Sequence, residues 1–289
     1  MTREERIPIQ FPPQHQSVQP GLEWVMEPRP IAEDASYRKA GKLTGKTAII
    51  SGGDSGIGRA VAILFAKEGA NVVIAYLNEH RDAFETKQRI EQLGQRCLTI
   101  AGDLGYEDVC RQVVSKTVET FGKVDIIVNN CAEAHPRDQL EEISAHQLIR
   151  TFQTNVFSYF YLTKAALRFL DEGSAVINTA SEVAFEGQRN VLDYGATKGA
   201  IISFTKSLAL NLVDRGIRVN GVSPGPVWTP LIPSSYPASD MLTFGYGTPM
   251  KRAAQPFELA PAYVYLASND SRYVTGETIH VSGGMIAGC

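Results

Sequence analysis

The feature that most constrains the fold of this chain is a glycine-rich turn between two apolar segments. The run Lys46-Thr-Ala-Ile-Ile-Ser51 predicts a buried strand, Gly52-Gly-Asp-Ser-Gly-Ile-Gly58 follows it, and an apolar helical pattern comes next. Glycines let a backbone approach a pyrophosphate, and the N-terminus of the next helix offers unpaired N–H groups and a partial positive charge. The spacing is Gly-x-x-x-Gly-x-Gly rather than the more common Gly-x-Gly-x-x-Gly. Its setting between a strand and a helix is the one that dinucleotide binding requires.

Strand-like and helix-like segments continue to alternate along the chain. The predicted strands are 71–76, 97–103, 124–130, 175–180, 219–223 and 278–281, and the predicted helices lie near 81–93, 106–121, 148–162, 192–208 and 256–268. This alternation predicts an α/β fold, a single-domain Rossmann-type doubly wound parallel sheet with helices on both faces. Ligands of such sheets bind at the carboxyl ends of the strands, where the glycine turn, Asn129, Ser181 and Pro224 all fall.

Residues 1–42 differ from the rest of the chain. They hold six of the 15 prolines and show no helical or alternating pattern, which is typical of a disordered tail. Large apolar side chains, Ile7, Phe11 and Trp24 among them, favour instead an extended arm that lies on its own subunit or on a neighbour. The predicted organisation is a proline-rich N-terminal arm at 1–42 and a dinucleotide-binding catalytic domain at 43–289.

The composition excludes several classes of protein. A net charge of −3 gives no reason to expect a nucleic acid or an anionic membrane as partner. No segment has the apolar length of a signal peptide or of a membrane span. The cysteines show neither metal-ligand spacing nor a disulfide framework, which suits a reducing compartment. They are Cys97, Cys110, Cys131 and Cys289. We therefore predict a cytoplasmic protein without a metal site.

A second motif, Tyr194-x-x-x-Lys198, lies in the predicted helix at 192–208. Residues four apart share one face of a helix, so the Lys198 ammonium can lie beside the Tyr194 phenol. A free phenol titrates near ~10, and a nearby positive charge favours the phenolate and lowers this pKa. Ser181 follows the predicted strand at 175–180, where its hydroxyl can hold a carbonyl oxygen. Alone the pair is weak evidence, since a surface lysine one turn from a packing tyrosine has the same spacing.

Together, the motifs resemble those of short-chain dehydrogenases/reductases in order and spacing, over residues 43–286. The residues that carry this resemblance are Ser51-Gly-Gly-Asp-Ser-Gly-Ile-Gly58, Gly102-Asp103-Leu104, Asn129-Asn130, Asn155, Ser181, Tyr194-x-x-x-Lys198 and Ser223-Pro-Gly-Pro-Val-Trp-Thr229. The arm, with Gln19-Pro-Gly21, and the segment Trp228-Thr-Pro-Leu-Ile-Pro233 resemble a subgroup with extended N-termini. Its members are described as general stress oxidoreductases or glucose/ribitol dehydrogenase homologues.

The resemblance implies three groups of contacts to a nicotinamide dinucleotide, at its pyrophosphate and nearby ribose, at its adenine and at its nicotinamide end. The pyrophosphate and nearby ribose would contact Gly52, Ser55, Gly56, Ile57 and Gly58. The adenine would contact Asp103 and Leu104. The nicotinamide end would contact Pro224, Gly225, Val227 and Thr229. Asn129 would sit beside the cofactor at the end of its strand.

For catalysis, the resemblance implies hydride transfer between nicotinamide C4 and an alcohol or carbonyl carbon. Ser181 would orient the substrate oxygen, and Tyr194 would act as general acid/base. Lys198 would bind the nicotinamide ribose while lowering the pKa of the tyrosine. Asn155 would anchor a water that links Lys198 to solvent as a proton relay.

One departure from the family pattern follows the predicted strand at 124–130. Where the family usually has Asn-Asn-Ala-Gly, this chain has Asn129-Asn130-Cys131-Ala132. Alanine in place of glycine adds a methyl group where the backbone passes the cofactor, so we expect an altered local backbone without loss of binding. No base is placed to activate Cys131, and we expect it to be a small packing residue.

Cofactor choice depends on the end of the predicted strand at 71–76, where Tyr76 and Asn78 are expected to contact the cofactor. NAD enzymes commonly place an acid there, and NADP enzymes an arginine or lysine. This chain has Tyr76 and Leu77 there, so neither the acid nor the base is present. Asp54 lies nearby, and its charge disfavours a 2′-phosphate. NAD(H) is therefore favoured over NADP(H).

The substrate is predicted to be small and neutral, such as a polyol, a sugar, an aldehyde or a ketone. By family resemblance Glu133, Glu182 and Glu186 border the substrate side of the nicotinamide, where carboxylates accept hydrogen bonds from hydroxyls and repel anions. Alternatively, these glutamates face solvent or a subunit contact. Two other functions stay open, a 3-oxoacyl reductase acting on an acyl carrier and a non-catalytic dinucleotide-binding sensor.

Family members with this sheet are usually tetramers, so we expect a homotetramer built on the helices around Asn155 and Tyr194.

Overall fold

The computed structural model describes residues 7–285, and their strands form one seven-stranded parallel sheet. Its order is β3-β2-β1-β4-β5-β6-β7. The strands are β1 Thr47–Ser51, β2 Asn71–Tyr76, β3 Cys97–Ala101, β4 Ile126–Asn129, β5 Ala175–Thr179, β6 Arg218–Pro224 and β7 Thr278–Val281. Residues 1–6 and 286–289, with Cys289, lie outside the described residues. The predicted α/β doubly wound fold is confirmed.

Helices connect the strands on both faces of the sheet. They are α1 Gly56–Lys67, α2 His80–Gln92, α3 Glu107–Phe121, α4 Ala145–Phe152, α5 Ser158–Ala166, α6 Val183–Glu186, α7 Leu192–Leu212, α8 Leu231–Ser235 and α9 Pro256–Ala267. The start of α9 shows why a helix begins where it does, because Pro256 supplies the fixed φ of the first turn and Gln255 and Glu258 form a capping box. Among the helices of residues 7–285, none combines the length and apolar composition needed to cross a bilayer.

One predicted helix is divided in the structure. The segment predicted as a single helix at 148–162 forms α4 and α5, joined by a π-helical turn at Gln153–Phe157. A π-turn inserts one extra residue into the helix, and such turns are frequent at functional sites. Asn155 lies in this turn.

The sheet is apolar on both faces because helices cover both. Ile50 of β1 packs into the layer that contains Ile63 of α1 and Val264 of α9. Its neighbour Ile49 points to the opposite layer, with Leu162 of α5. Alternate residues of one strand thus pack into the two hydrophobic layers on opposite faces of the sheet. Each fully buried apolar side chain contributes about 1.5–3 kcal/mol to the stability of the fold, because its surface is removed from water.

The sheet order places a crevice at the carboxyl end of β1. The chain proceeds from β1 to β2 and β3 on one side and resumes at β4 on the other, which creates the topological switch point where α/β proteins bind ligands. Ser51 closes the bottom of this crevice, because its Oγ accepts the N–H groups of Asn130 and Cys131 at 2.8 and 3.1 Å.

Residues 7–42 run along the outside of the domain in contact with it. Phe11 is buried and stacks on Trp228 with 3.8 Å between ring centroids. The Trp228 indole donates to the Pro28 carbonyl at 2.8 Å. Further along, the Tyr37 hydroxyl donates to the Glu68 carboxylate at 2.7 Å. The arm therefore packs on the same chain at both of its ends.

Candidate active site

The carboxyl ends of the strands open into one long cleft with a volume of about 630 Å³. Its wall begins at the glycine turn, passes the ends of β2 to β6 and finishes at the segment 224–248. Pro20 and Gly21 of the N-terminal arm complete the wall. A cleft of this size and position can hold a dinucleotide together with a small substrate.

The glycine turn has a shape that only glycine allows at key positions. Gly52 and Gly56 have φ of +64° and +52°, in the left-handed region. At Gly58 an added Cβ would lie 1.9 Å from the Gly52 carbonyl oxygen. Gly52, Ser55, Gly56 and Ile57 line the cleft, whereas Gly58 lies behind it and permits the close packing of turn and helix. The turn thus fits the pyrophosphate of a dinucleotide.

Two carboxylates lie at the end of the cleft where the adenosine is expected. Asp54 lies in the glycine turn and Glu79 lies two residues beyond Leu77; both are almost fully buried and line the cleft. Burial, and then the charge of Glu79, raises the pKa of Asp54. Tyr76 lines the cleft as expected, but Asn78 does not.

The loop expected to hold the adenine contains an ion pair that sequence reasoning missed. Asp103 and Leu104 line the cleft as predicted, and the Asp103 carboxylate lies 2.5 Å from Arg150 Nη1. The Arg150 Nε lies 2.9 Å from the Glu133 carboxylate, so one guanidinium bridges the ends of two strands. No spacing in the sequence indicates these ion pairs, because Arg150 lies in α4, far along the chain from Asp103.

The predicted triad of hydroxyl, phenol and ammonium comes together at the end of β5. Ser181 and Tyr194 both line the cleft, and the Ser181 side chain lowers the pKa of the Tyr194 phenol. Lys198 also lines the cleft, with its Nζ 5.5 Å from the centroid of the Tyr194 ring. The Lys198 ammonium donates to the Thr179 carbonyl at 2.8 Å, which ties α7 to the end of β5.

The pKa of Tyr194 differs from the expectation. The phenol keeps part of its surface open to the cleft, but the protein encloses the rest, and this burial raises its pKa to about 12, against a smaller lowering by the Ser181 hydrogen bond. Burial also lowers the pKa of Lys198 to about 8. The predicted lowering of the tyrosine pKa by Lys198 does not agree with this direction, because desolvation by the surrounding protein is the largest influence on the phenol.

Asn155 lies behind the cleft, in the π-turn. Its side chain accepts the Glu133 N–H at 2.9 Å and donates to the Glu133 carbonyl at 2.9 Å. It also donates to Thr197 Oγ1 at 3.2 Å, and Thr197 directly precedes Lys198. Asn155 thus joins the loop after β4 to the helix that carries Tyr194.

Asn129 was predicted beside the cofactor, and the structure places it elsewhere. Its side chain is buried in the core, where it donates to Thr163 Oγ1 at 3.0 Å and to Asn178 Oδ1 at 2.9 Å. In an extended strand consecutive side chains point to opposite faces, so the next residue is the one that faces the crevice. Asn130 lines the cleft instead, followed by Cys131 and Ala132. Burial raises the pKa of the Cys131 thiol.

The segment after β6 forms the end of the cleft where the nicotinamide is expected. Pro224, Gly225, Val227 and Thr229 all line the cleft as predicted. A Cβ on Gly225 would lie 2.8 Å from the Ser282 backbone, so glycine is required for this close approach.

The three glutamates at the substrate end have different surroundings. Glu133 forms the ion pair with Arg150 and accepts the Thr154 hydroxyl at 2.9 Å. Glu182 is buried beside His280, with 2.8 Å between Oε1 and Nδ1, and its Oε2 has no hydrogen-bond partner among the described residues. Glu186 is exposed at the cleft wall. Glu133 lines the cleft, but Arg150 balances its charge, so it adds less to the expected repulsion of anions than an unpaired carboxylate would.

Comparison with known proteins identifies the relatives of this chain. A family model described as Enoyl-(Acyl carrier protein) reductase matches residues 52–286. The chain is 53% identical over 277 residues to General stress protein 39 of Bacillus subtilis, which covers 96% of this chain and 97% of that one. It is 48% identical over 283 residues to Glucose and ribitol dehydrogenase of Daucus carota, covering 96% and 97%. It is 49% identical over 280 residues to NADPH-dependent aldehyde reductase 1, chloroplastic, of Arabidopsis thaliana, covering 94% and 97%.

Solved structures share the fold. A short chain dehydrogenase from Burkholderia cenocepacia in complex with NADP has a TM-score of 0.80 at 29% identity. One from Mycobacterium paratuberculosis bound to NAD has a TM-score of 0.77 at 28% identity. Each match covers 84% of this chain and 98% of the other chain.

A parallel sheet with a dinucleotide cleft at its switch point defines an NAD(P)-dependent oxidoreductase of Rossmann type. The chain belongs to the short-chain dehydrogenase/reductase family. The predicted family, and the predicted resemblance to general stress proteins and glucose/ribitol dehydrogenases, are confirmed.

Proposed function

We propose that this enzyme transfers a hydride between nicotinamide C4 and the carbinol or carbonyl carbon of a small neutral substrate, with Tyr194 as general acid/base. The observation that carries this proposal is the meeting of Ser181, Tyr194 and Lys198 at one end of a dinucleotide-sized cleft. The bound dinucleotide supplies or accepts the hydride. Ser181 and Tyr194 hold the substrate oxygen from two sides, and Tyr194 passes the hydroxyl proton. Such acid–base catalysis contributes roughly 10²–10⁴-fold to the rate.

Lys198 and Asn155 support the proton transfer. The Lys198 ammonium binds the nicotinamide ribose, and its charge near the Tyr194 ring favours the phenolate once the cofactor has displaced water. Asn155 fixes the start of α7 through Thr197 and anchors the water through which Lys198 exchanges protons with solvent. The π-turn at 153–157 supports this role, since the widened turn changes how its backbone carbonyls are paired.

The cofactor we propose is NAD(H), in preference to NADP(H). Asp54 and Glu79 place two carboxylates at the adenosine end of the cleft, where they accept hydrogen bonds from the ribose hydroxyls and repel a 2′-phosphate. Among the described residues that line the cleft, Arg150 and Lys198 are the only cations, and Arg150 already pairs with Asp103. A kcat/KM for NADP at least tenfold above that for NAD contradicts this proposal.

The substrate class we propose is a polyol, a sugar, or a neutral aldehyde or ketone. Glu182 and Glu186 contribute carboxylates to the cleft wall next to Ser181, and these accept hydrogen bonds from hydroxyls while disfavouring anions. Kinetics with matched panels of polyols, neutral aldehydes, keto acids and acyl thioesters test the class. A higher kcat/KM for keto acids or acyl thioesters refutes it.

Replacing Tyr194 with Phe tests the catalytic assignment. Because only the proton-transfer group is removed, we expect kcat to fall by at least a hundredfold while the Kd for NAD changes less than threefold. Tyr265→Phe is the matched control, since that tyrosine is partly exposed on α9, away from the cleft, and we expect full activity. A Tyr194→Phe enzyme that keeps more than a small fraction of wild-type turnover refutes the role of Tyr194.

The assembly we propose is a homotetramer in the cytoplasm. Apolar side chains on α4, α5 and α7 are exposed in the single chain, and an isologous contact would bury them. They are Leu148, Ile149, Phe160, Leu192 and Leu210. The three described cysteines are free thiols, which suits a reducing compartment.

A further inference from the structure

The N-terminal arm reaches the glycine turn through one buried side chain, Glu23. This carboxylate is 1% exposed. Its Oε2 accepts the Gly56 N–H at 2.6 Å, and its Oε1 lies 2.5 Å from Arg59 Nη1. Both partners belong to the first turn of α1, so one side chain joins the arm to the helix that follows the glycine turn.

Arg59 carries this connection into the turn itself. Its Nε donates to the Asp54 carbonyl at 2.8 Å and to Thr86 Oγ1 at 2.8 Å. Its Nη2 donates to the Asp82 carbonyl at 2.8 Å. Since Asp54 lies in the turn and the other two acceptors lie in α2, the guanidinium holds the glycine turn against α2, and Glu23 balances its charge.

The arm backbone is fastened at the same point. The N–H groups of Glu23 and Trp24 donate to the buried Asp82 carboxylate at 2.8 and 3.1 Å. Just before them, Pro20 and Gly21 form part of the cleft wall. Both the backbone and the side chain of Glu23 are therefore hydrogen bonded to the domain.

We propose that Glu23 is a positioning residue for the cofactor, because its contacts to Gly56 and Arg59 hold the glycine turn in the conformation that binds the dinucleotide pyrophosphate. This inference rests on the dinucleotide placement proposed above. Loss of the carboxylate leaves either the Gly56 amide or Arg59 Nη1 without its charge-assisted hydrogen bond, since the Asp82 carboxylate bonds only Arg59 Nη2, at 3.3 Å. The family model matches residues 52–286, so Glu23 lies outside the segment that it covers.

Thermodynamic linkage gives this proposal a second consequence. If docking of the arm strengthens cofactor binding, cofactor binding must strengthen docking of the arm by the same factor. The effect on the arm can therefore be measured in the unaltered enzyme.

The first test replaces Glu23 with Gln, which keeps the shape and removes the charge. ADP-ribose is the probe, because it carries the adenosine and pyrophosphate but no nicotinamide. By calorimetry we expect the Kd of ADP-ribose and that of NAD to rise by about tenfold each, with kcat at saturating NAD within twofold of wild type. Glu23→Asp keeps the charge on a shorter side chain and should show a smaller loss. Glu27→Gln, an exposed glutamate in the same arm, is the matched control and should bind as wild type does.

The role of Glu23 and the placement of the dinucleotide fail in different ways in this experiment. If wild-type enzyme does not bind ADP-ribose, the dinucleotide placement fails. If wild type and Glu23→Gln bind ADP-ribose equally, or if Glu27→Gln loses as much affinity, the role of Glu23 is wrong.

The second test needs no variant and therefore does not depend on the folding of Glu23→Gln. Hydrogen exchange is followed in the wild-type enzyme with and without ADP-ribose. We expect the amides of residues 22–26 to be slowed at least fivefold more than those of residues 33–42, which pack at the other end of the same arm. Equal slowing of the two segments overturns the proposal.

Discussion

Lys198→Met should make the protein more stable while abolishing its activity. Lys198 is 1% exposed, and burial lowers its pKa from 10.5 to about 8. One pKa unit corresponds to 1.36 kcal/mol, so at pH 7 the buried charge costs on the order of 3 kcal/mol. The variant also loses the hydrogen bond to the Thr179 carbonyl, worth about 1 kcal/mol, but the Tyr159 hydroxyl still donates there at 3.3 Å. The expected net gain in the free energy of unfolding at pH 7 is about 2 kcal/mol.

The pH dependence of this gain has a definite sign. Between pH 8 and 10.5 the unfolded chain binds the lysine proton more strongly than the folded protein does. The wild-type free energy of unfolding therefore rises with pH through this window relative to that of the variant. The advantage of Lys198→Met should fall to less than half of its pH 7 value at about pH 9.5.

Urea unfolding followed by circular dichroism at pH 7 and pH 9.5, at fixed protein concentration, measures both quantities. Lys206→Met is the matched control, since Lys206 is exposed on the same helix and its replacement should change stability by less than about 0.5 kcal/mol. A Lys198→Met protein that is less stable than wild type at pH 7 refutes the reasoning, as does a gain that is the same at both pH values.

Three further predictions concern the cofactor carboxylates and the arm. Glu79→Gln should reduce the preference for NAD over NADP by about tenfold, because one of two buried carboxylates at the ribose is neutralised; an unchanged kcat/KM ratio contradicts this. Wild-type enzyme should also discriminate less against NADP at pH 6 than at pH 8, since the raised pKa of Asp54 lets it take up a proton as pH falls. Glu79→Gln should flatten that profile, which separates the carboxylates from titration of the 2′-phosphate itself. Phe11→Ala should lower the Tm and raise the KM of the substrate more than that of NAD, because the lost ring stacks on Trp228 beside the nicotinamide segment; an exposed control, Val18→Ala, should change neither.

The strand, glycine turn and helix at the start of the domain could be predicted because their signals are local. Periodicity identifies the elements, and the glycines have steric reasons that lie within a few residues, as at Gly58. The Tyr194 and Lys198 spacing likewise needs only the geometry of one helix turn. These parts of the molecule follow from short-range physics.

The remaining features depend on contacts between distant residues. Arg150 bridges two strand ends from a separate helix, and no pattern near it indicates its partners. Whether Asn129 or Asn130 lines the cleft depends on which face of β4 is directed towards the crevice. Adjacent positions in a strand differ in the face to which their side chains point. The π-turn around Asn155 adds a single residue to an otherwise regular helix, which the apolar periodicity does not reveal.

The route of the N-terminal arm has a consequence for how the protein is made. The His15 ring is hydrogen bonded to the Tyr236 carbonyl, 221 residues away, and the Trp228 indole reaches Pro28 across 200 residues. Ribosomes add roughly 5–20 residues per second, so these arm residues are synthesised roughly 10–40 seconds before the part of their binding surface near Trp228 and Tyr236. During that interval Phe11 and Met26, both buried in the finished protein, have no partners to pack against. The part of the arm that packs on Trp228 thus reaches its final place late, although it is synthesised before the rest of the domain.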